Sequence, residues 1–484
     1  MDGIDAQIDA ALRPLADAVS SFVFFSVPIL GTDVPLVVAW LVVAALFCTV
    51  YLRFVCITGF GEALRLTFGP APKTRDGEDI SGEVSHFQAL ATAVSGTVGV
   101  GNIAGVAVAI SVGGPGAVFW MLIAGVLGMS SKFAECTLGV KYRTEHPDGS
   151  VSGGPMYYLE RGLAARGYAG IGRGLGRFYA AGIVIGCLGI GNMFQSNQAF
   201  EQLVGVTGGE ASWFAERGWL VGLVLAALVG LVIIGGIKSI ARVTSKVVPF
   251  MALLYLISAA VILVMNAEAI PFAIGEIIGR AFSTDAASGG VLGAVIVGFQ
   301  RAVFSNEAGI GSAPIAHAAV RTDRPVSEGF VALLEPFIDT IVICSATALV
   351  VVTTFYYDPN YADGLQGIAI TSAAFERNVS WSPNAIALVA SLFALSTMIS
   401  WSYYGLKGWS YLVSGSDGTT SRNLERAFQA VFCAFVALGC MIKLDSVLDF
   451  SDALVFVICI PNIIGLYILA PEVKRELDEY RASR

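Results

Sequence analysis

Two short runs of glycine and small polar residues interrupt long apolar stretches, one in each half of the chain. The first, Ser95-Gly-Thr-Val-Gly-Val-Gly-Asn102-Ile-Ala-Gly105, lies within a stretch from about Phe87 to Gly113. The second, Phe304-Ser-Asn-Glu-Ala-Gly-Ile-Gly311-Ser312-Ala-Pro314, lies within one from about Val291 to Val320. Both carry Gly-x-Gly followed by Asn or Ser. Unwound backbone facing lipid has no water to bond, so such breaks are tolerated only where they line a protected cavity. Matched breaks in two halves of a chain mark the binding site of a membrane transporter.

The chemistry on offer is ligation by backbone and neutral oxygens. A break frees amides at the start of one half-helix, which suit a carboxylate, and carbonyls at the end of the other, which suit a small cation. In the first break Gly96, Gly99 and Gly101 supply backbone, Thr97 a hydroxyl and Asn102 an amide. In the second, Ser305, Asn306, Gly309 and Gly311 offer the same, with Phe304 placed to close over a ligand. A third Gly-Ile-Gly-Asn at Gly189–Asn192 leads to Gln195 and Asn197, two further substrate contacts in this reading. Later, Thr397 and Trp401 lie four apart on one helical face. Gly96, Thr97, Thr397 and Ser400 then form an oxygen-only set suited to a hard, weakly held ion such as Na⁺, by extension from the hard-cation logic for Ca²⁺ and Mg²⁺. The bland alternatives are a small-residue packing face spanning Gly101 and Gly105 and hydroxyls bonding back to their own helices.

Other ionisable groups are read more cautiously. Glu307 and Arg301 flank the second break. Lys132 and Glu135, three apart, are expected to pair with each other. Glu335 and Asp339 are assigned to an inner gate or helix capping, and His86 and His317 to anchoring at inner helix ends. No Ser-His-Asp set, Walker loop or zinc spacing occurs, so no enzyme chemistry is expected. The eight cysteines fall in or beside predicted spans without a CxxC, as buried small apolar residues do.

The elements that must position these groups are membrane helices. Hydrophobic residues make up 55% of the chain and charged ones 14%, well under the roughly 25% of a soluble protein. Stretches of about 20 apolar residues, the length that spans a bilayer, recur at roughly 34–57, 86–112, 115–140, 176–200, 219–237, 246–266, 289–319, 328–355, 384–412, 425–442 and 447–470. Twenty-one Lys and Arg, from Arg65 to Arg484, fall on segments this topology places inside. Only Arg13, Arg217, Arg280, Arg377 and Lys443 fall outside. The positive-inside rule then sets the N-terminus out and the C-terminus in. The acidic N-terminus (Asp2, Asp5, Asp9) is unlike a signal peptide, and Ser21–Leu30 reads as an interfacial segment.

After residues 1–85, with one extra helix, come two sets of five spans, 86–266 and 289–470, each opening on its broken helix; 471–484 is a tail. An odd number of spans per set inverts one set relative to the other, the inverted-repeat plan of many secondary transporters. The connections 58–85, 141–175 and 356–383 are long enough for amphipathic helices, and Gly364–Asn378 suits an interfacial helix or an outer lid.

The motifs themselves resemble the alanine or glycine:cation symporter family of the amino acid–polyamine–cation superfamily. The resemblance rests on Ala91-Thr-Ala-Val-Ser-Gly-Thr-Val-Gly-Val-Gly-Asn-Ile-Ala-Gly105, on Gly153-Gly-Pro-Met-Tyr-Tyr158, and on Gly191-Asn-Met-Phe-Gln-Ser-Asn197. It continues through Gln300-Arg-Ala-Val-Phe-Ser-Asn-Glu-Ala-Gly-Ile-Gly-Ser-Ala-Pro314 and Ser396-Thr-Met-Ile-Ser-Trp-Ser-Tyr-Tyr-Gly405. It covers about residues 35–470. It implies a fold similar to the leucine-transporter architecture and sodium-driven uptake of small neutral amino acids, alanine or glycine, across the cytoplasmic (inner) membrane. Na⁺ is then a co-transported ion, with no organic cofactor and no nucleic-acid partner. The competing expectation is a proton-coupled transporter of the same fold, which needs an essential acid, Glu307 or Glu335.

Overall fold

The computed structural model describes residues 13–14, 17–29, 31–69, 81–283, 290–358, 360, 362–365, 367–417, 419–442 and 445–483. Asp2, Asp5, Asp9, Lys73, Arg75, Lys443 and Arg484 lie outside the described residues.

The described elements are almost all helical because the apolar stretches can satisfy their backbone in lipid only within themselves. In chain order they are α1 (Leu36–Tyr51), α2 (Phe60–Phe68), α3 (His86–Thr97), α4 (Val106–Gly113) and α5 (Gly116–Lys141). Then come α6 (Pro155–Ala164), α7 (Ala169–Val206), α8 (Gly218–Ile233), α9 (Gly236–Met265) and α10 (Ile270–Arg280). The second half holds α11 (Gly290–Asn306), α12 (Ala313–His317), α13 (Pro325–Tyr357), α14 (Ile368–Asn378), α15 (Ser382–Ser414), α16 (Arg422–Gly439) and α17 (Asp445–Ala482). Beside short turns at Val55–Thr58, Gly209–Ala211 and Ala267–Ala269 there are two antiparallel strand pairs. β1 (Ser26–Ile29) pairs with β2 (Thr32–Pro35), and β3 (Thr144–Glu145) with β4 (Val151–Ser152). Ser26–Ile29, expected to lie along the interface, is thus a strand.

By length and hydropathy, six described helices can cross a membrane (α5, α7, α9, α13, α15 and Val455–Ala482 of α17), or seven with the bent pair α3–α4. Helices α1, α8 and α11 are shorter and apolar. Each of the eleven predicted spans overlaps a described helix, some of them shorter or broken. The chain is an all-α integral membrane protein.

Helices of the two halves of the chain pack together: α5 on α11 and α13, α7 on α15, and α8 on α16. The lipid-facing side is legible on α9, where Leu253, Ile257, Val261 and Val264 are exposed at helical spacing. Lys238, Arg242 and Lys246 lengthen α9 beyond its apolar run, so it starts ten residues before the expected 246.

The segments read as inside gather at one end of the molecule. Arg143 donates to the carbonyls of Ser81, Ala318, Val320 and Thr322 at 2.6–3.2 Å. Arg161 reaches Ser416 and Asp417, Lys407 reaches Val151, and Lys141 pairs with Glu476 at 2.5 Å. Those read as outside meet at the other end, where Asn266 bonds Asn378 and Trp120 bonds the Ala281 carbonyl. One guanidinium thus clamps the stretches that precede α3 and follow α12. Arg143→Ala is expected to lower stability by about 1.5–3 kcal/mol, the scale of one charged hydrogen-bonding group lost. The check is the unfolding midpoint in detergent; an unchanged midpoint refutes the clamp.

Candidate binding site between the two helix breaks

The first break follows from its glycines. Helix α3 stops at Thr97, Val98 is extended, and a π-turn over Gly101–Gly105 restarts the path, leaving α3 and Gly101–Gly113 bent by 55°. The last carbonyls of a broken helix need new donors, and α15 supplies them. Thr397 Oγ1 donates to the Ser95 carbonyl (3.1 Å), Ser400 Oγ to that of Thr92 (2.8 Å), and Trp401 Nε1 to that of Gly96 (3.3 Å). In return Ser95 Oγ donates to the Ser396 carbonyl at 2.7 Å.

Beside this seam other side chains closely approach Gly99. A Cβ there would lie 2.9 Å from Thr397 Oγ1 and 3.4 Å from Gln195 Oε1. Gln195 donates through Nε2 to the Ile190 carbonyl (3.2 Å), across the π-turn that interrupts α7, while its buried Oε1 has no hydrogen-bond partner among the described residues. Gly101 faces the Phe304 ring, 3.6 Å from where its Cβ would stand. Phe304 in turn meets Phe194 edge-on at 6.3 Å, with the Arg301 guanidinium 5.8 Å from its centre. Gly99, Gly101, Gln195, Phe304 and Thr397 therefore converge. Trp401 lies under them, its ring against Gly191 where no Cβ fits.

A second, fully polar cluster joins the two breaks. Asn102 accepts from the Gly99 amide (2.9 Å) and donates to Ser305 Oγ (3.0 Å) and Asp339 Oδ1 (2.5 Å). Asp339 Oδ2 takes hydrogen bonds from Ser305 and Thr340, both at 2.8 Å, and Thr340 accepts from Asn306 at 2.9 Å. Asp339 stands in the π-turn Phe337–Cys344 of α13, so it is a hub between the breaks rather than a helix cap. A carboxylate in mid-span was the available signal; its partners were not readable.

The other candidates sit elsewhere. Thr97 Oγ1 turns back to the Ala93 and Val94 carbonyls. Asn197 ties α7 to the Ile442 carbonyl. In the second break Glu307, Gly309 and Gly311 have φ of +56°, +90° and +85°. Gly309 meets Leu41 of α1, and Gly311 meets Pro155 and Asn462, so neither glycine faces the first break. Glu307 accepts from Trp401 Nε1 (3.2 Å) and from Ser312 Oγ. Lys132 pairs with Glu335 on α13 at 2.9 Å and not with Glu135, which instead accepts from Asn462 at 2.7 Å. Helix α14 lies over the first break, where Thr371 Oγ1 donates to the Ile103 carbonyl at 2.9 Å and Phe375 is buried.

Comparison with known proteins bears on the whole chain. The profile of the sodium:alanine symporter family matches residues 18–484. The sodium/alanine symporter AgcS of Methanococcus maripaludis is 39% identical over 475 residues, covering 97% of each chain. The amino-acid carrier protein AlsT of Bacillus subtilis is 33% identical, with 91% of this chain and 88% of that one covered. Among solved structures, MhsT in complex with L-phenylalanine aligns with a TM-score of 0.47 at 14% identity, over 82% of this chain and 100% of that one; likeness at this level carries no argument.

Proposed function

The chain belongs to the sodium:alanine symporter family, and from that premise we propose that it imports a small neutral amino acid, alanine or glycine, with Na⁺ by alternating access. It does so as two five-helix units of opposite orientation, 86–266 and 289–470, in the cytoplasmic membrane with its N-terminus outside and the basic end of the molecule inside. The observation that carries the site is the convergence of Gly99, Thr397 and the unpartnered Gln195 Oε1 beside a broken helix.

An amino acid zwitterion matches these groups. The backbone of the Gly99–Gly101 turn, at the start of a half-helix, receives the carboxylate. Gln195 Oε1 accepts from the ammonium and so gains the partner it lacks, and burial makes that gain larger than it would be in water. Phe304, against Gly101, limits side-chain size. Na⁺ lies in the seam where carbonyls near Gly96 and Thr97 meet Thr397 and Ser400, so its occupancy holds α3 to α15. Ion and substrate then share Thr397 as a wall, which couples them: each binds better when the other has already ordered that wall.

The test is labelled alanine uptake into proteoliposomes under an inward sodium gradient, against choline at matched pH and voltage. Sodium-dependent accumulation is expected. Thr397→Val, which removes the oxygen but keeps the shape, should raise the sodium concentration for half-activation about tenfold, near 1.4 kcal/mol, with a smaller change in alanine affinity. Unaltered sodium activation in that variant removes Thr397 from the ion site.

A further inference from the structure

Five ionisable side chains run through the end of the molecule where α3 begins and α12 ends. His86 Nδ1 lies 2.5 Å from Glu328 Oε2, and His317 Nδ1 lies 2.6 Å from Glu328 Oε1. On its far edge His317 Nε2 faces Glu335 Oε2 at 3.9 Å, and Glu335 Oε1 accepts from Lys132 at 2.9 Å. All are buried; His86, at the rim, is 7% exposed. The bland reading, histidines anchoring helix ends at the interface, fails on that burial.

The atoms that face each other at 3.9 Å are the telling ones. Neither His317 Nε2 nor Glu335 Oε2 has a hydrogen-bond partner among the described residues. When Nδ1 of a neutral His317 donates to Glu328, its Nε2 is a bare lone pair. Two acceptors then confront one another away from water, a costly arrangement. A single proton resolves it by turning His317 into an imidazolium between two carboxylates, hydrogen-bonded to Glu328 on one side and ion-paired with Glu335, at 3.9 Å, on the other.

We propose that His317 Nε2 and Glu335 Oε2 form a proton-binding site that locks the inner ends of the two broken helices together, and that loss of this proton releases them. Glu328 transmits the lock from α12 to His86 on α3. The backbone runs alongside it: Glu83 N donates to the Ala319 carbonyl (2.7 Å) and Arg321 N to that of Val84 (2.9 Å). The consequence for transport deepens the reading above and rests on it, orientation included; the proton site itself rests on the geometry.

The surrounding charges leave the His317–Glu335 gap as the place for the proton. From α5, Lys132 already occupies the other oxygen of Glu335, Cys136 is buried one turn on, and Glu135 is held by Asn462 of α17. Glu307 of the second break is engaged by Trp401 and Ser312, and Asp339, one turn on from Glu335 in α13, accepts from Asn102, Ser305 and Thr340. Arg143 is held by carbonyls and by Glu145 at 2.9 Å, and on α2 Glu62 and Arg65 pair at 2.7 Å, with Tyr480 of α17 donating to Glu62 at 2.5 Å. On α15 Tyr404 is a neutral phenol and Lys407 bonds Val151 and Ser152. On α9 Lys238, Arg242 and Lys246 point outward, exposed.

The chain has three histidines, so ¹⁵N-imidazole signals of the full-length protein in lipid nanodiscs can be followed one by one. His146 is the internal control, on the β3–β4 connection outside the spans. Burial, and then the charge of Lys407, hold its pKa below the ordinary imidazole value. Because His317 Nε2 faces Glu335 Oε2, Glu335→Gln should change the His317 titration and leave that of His146 in place. Identical His317 titrations with and without Glu335 overturn the proposal.

The functional arm varies luminal pH at fixed external pH and voltage. Initial uptake should rise about threefold or more from luminal pH 6 to 8 as the locked population falls, and Glu335→Gln should flatten the profile. A flat wild-type profile, or a variant with the full wild-type response, overturns the proposal. Where Glu335→Gln does not reach the membrane folded, His317→Gln carries the same test. Absence of alanine uptake at every pH counts against the transport reading instead, and the titration still decides the proton site.

Discussion

Gly99→Ala should reduce sodium-driven alanine uptake about 10- to 100-fold while the protein still folds and inserts. The added methyl would stand 2.9 Å from Thr397 Oγ1 and 3.4 Å from Gln195 Oε1. The first distance is closer than a carbon and a hydroxyl oxygen tolerate, so Thr397 must shift. Overpacking of this kind costs about 1–3 kcal/mol, which in binding is about 5- to 150-fold. Here the cost falls on the bound state as well, because the methyl occupies the space assigned to the substrate and displaces the hydroxyl assigned to Na⁺. Both the alanine and the sodium dependence should therefore weaken. The control is Gly105→Ala, four residues from Gly101, where nothing lies within 4 Å of the added carbon. Equal uptake by the Gly99 variant and wild type would place the substrate elsewhere.

Lys132→Met should cost about 3–5 kcal/mol of stability, the penalty for stranding one member of a buried ion pair. Lys132 and Glu335 are both fully buried, and the lysine is the ammonium held at 2.9 Å from that carboxylate. Without it, Glu335 faces only His317, across a gap no hydrogen bond spans. The double variant Lys132→Met, Glu335→Met should recover most of the loss, because two apolar chains of similar length refill the space with no charge to desolvate. Thermal unfolding in detergent of the two single variants and the double closes the cycle. A Lys132→Met protein as stable as wild type would show that the pair contributes nothing to the packing of α5 on α13.

Much of the architecture was legible before any contact was known. The expected spans 86–112, 115–140 and 384–412 coincide with α3–α4, α5 and α15 to within two residues at each end, because a bilayer rewards continuous apolar length and that is a local property. The misreadings have equally local causes. Lys238, Arg242 and Lys246 make the first turns of α9 look like a loop, although a helix can rise out of lipid with its basic residues at the rim. Lys132 and Glu135 looked like a pair because spacing by three puts them on one helix face. Their partners, Glu335 and Asn462, lie 203 and 327 positions away.

The candidate site divides along the same line. Glycines with a central Asn in an apolar stretch placed the break near Gly96–Asn102, and the spacing of four on α15 pointed at Thr397 and Trp401. Gln195 was named with Asn197 as an equal. They lie two apart in one helix and so face different ways: one turns its free oxygen toward Gly99, the other bonds the Ile442 carbonyl. Asp339 read as an inner-gate or capping residue, and it bonds Asn102 and Ser305 of the two breaks. His86, His317 and Glu328 were unrelated positions until α3, α12 and α13 were packed side by side.

Composition, hydropathy length, helix breaks and the asymmetry of basic residues act through the chain's own neighbours. They determined a membrane protein of bundled helices, broken twice where a ligand can be held. Which polar atom meets which depends on how each helix is rotated about its axis. That rotation is set by the side chains of several other helices at once, and only the assembled bundle decides it.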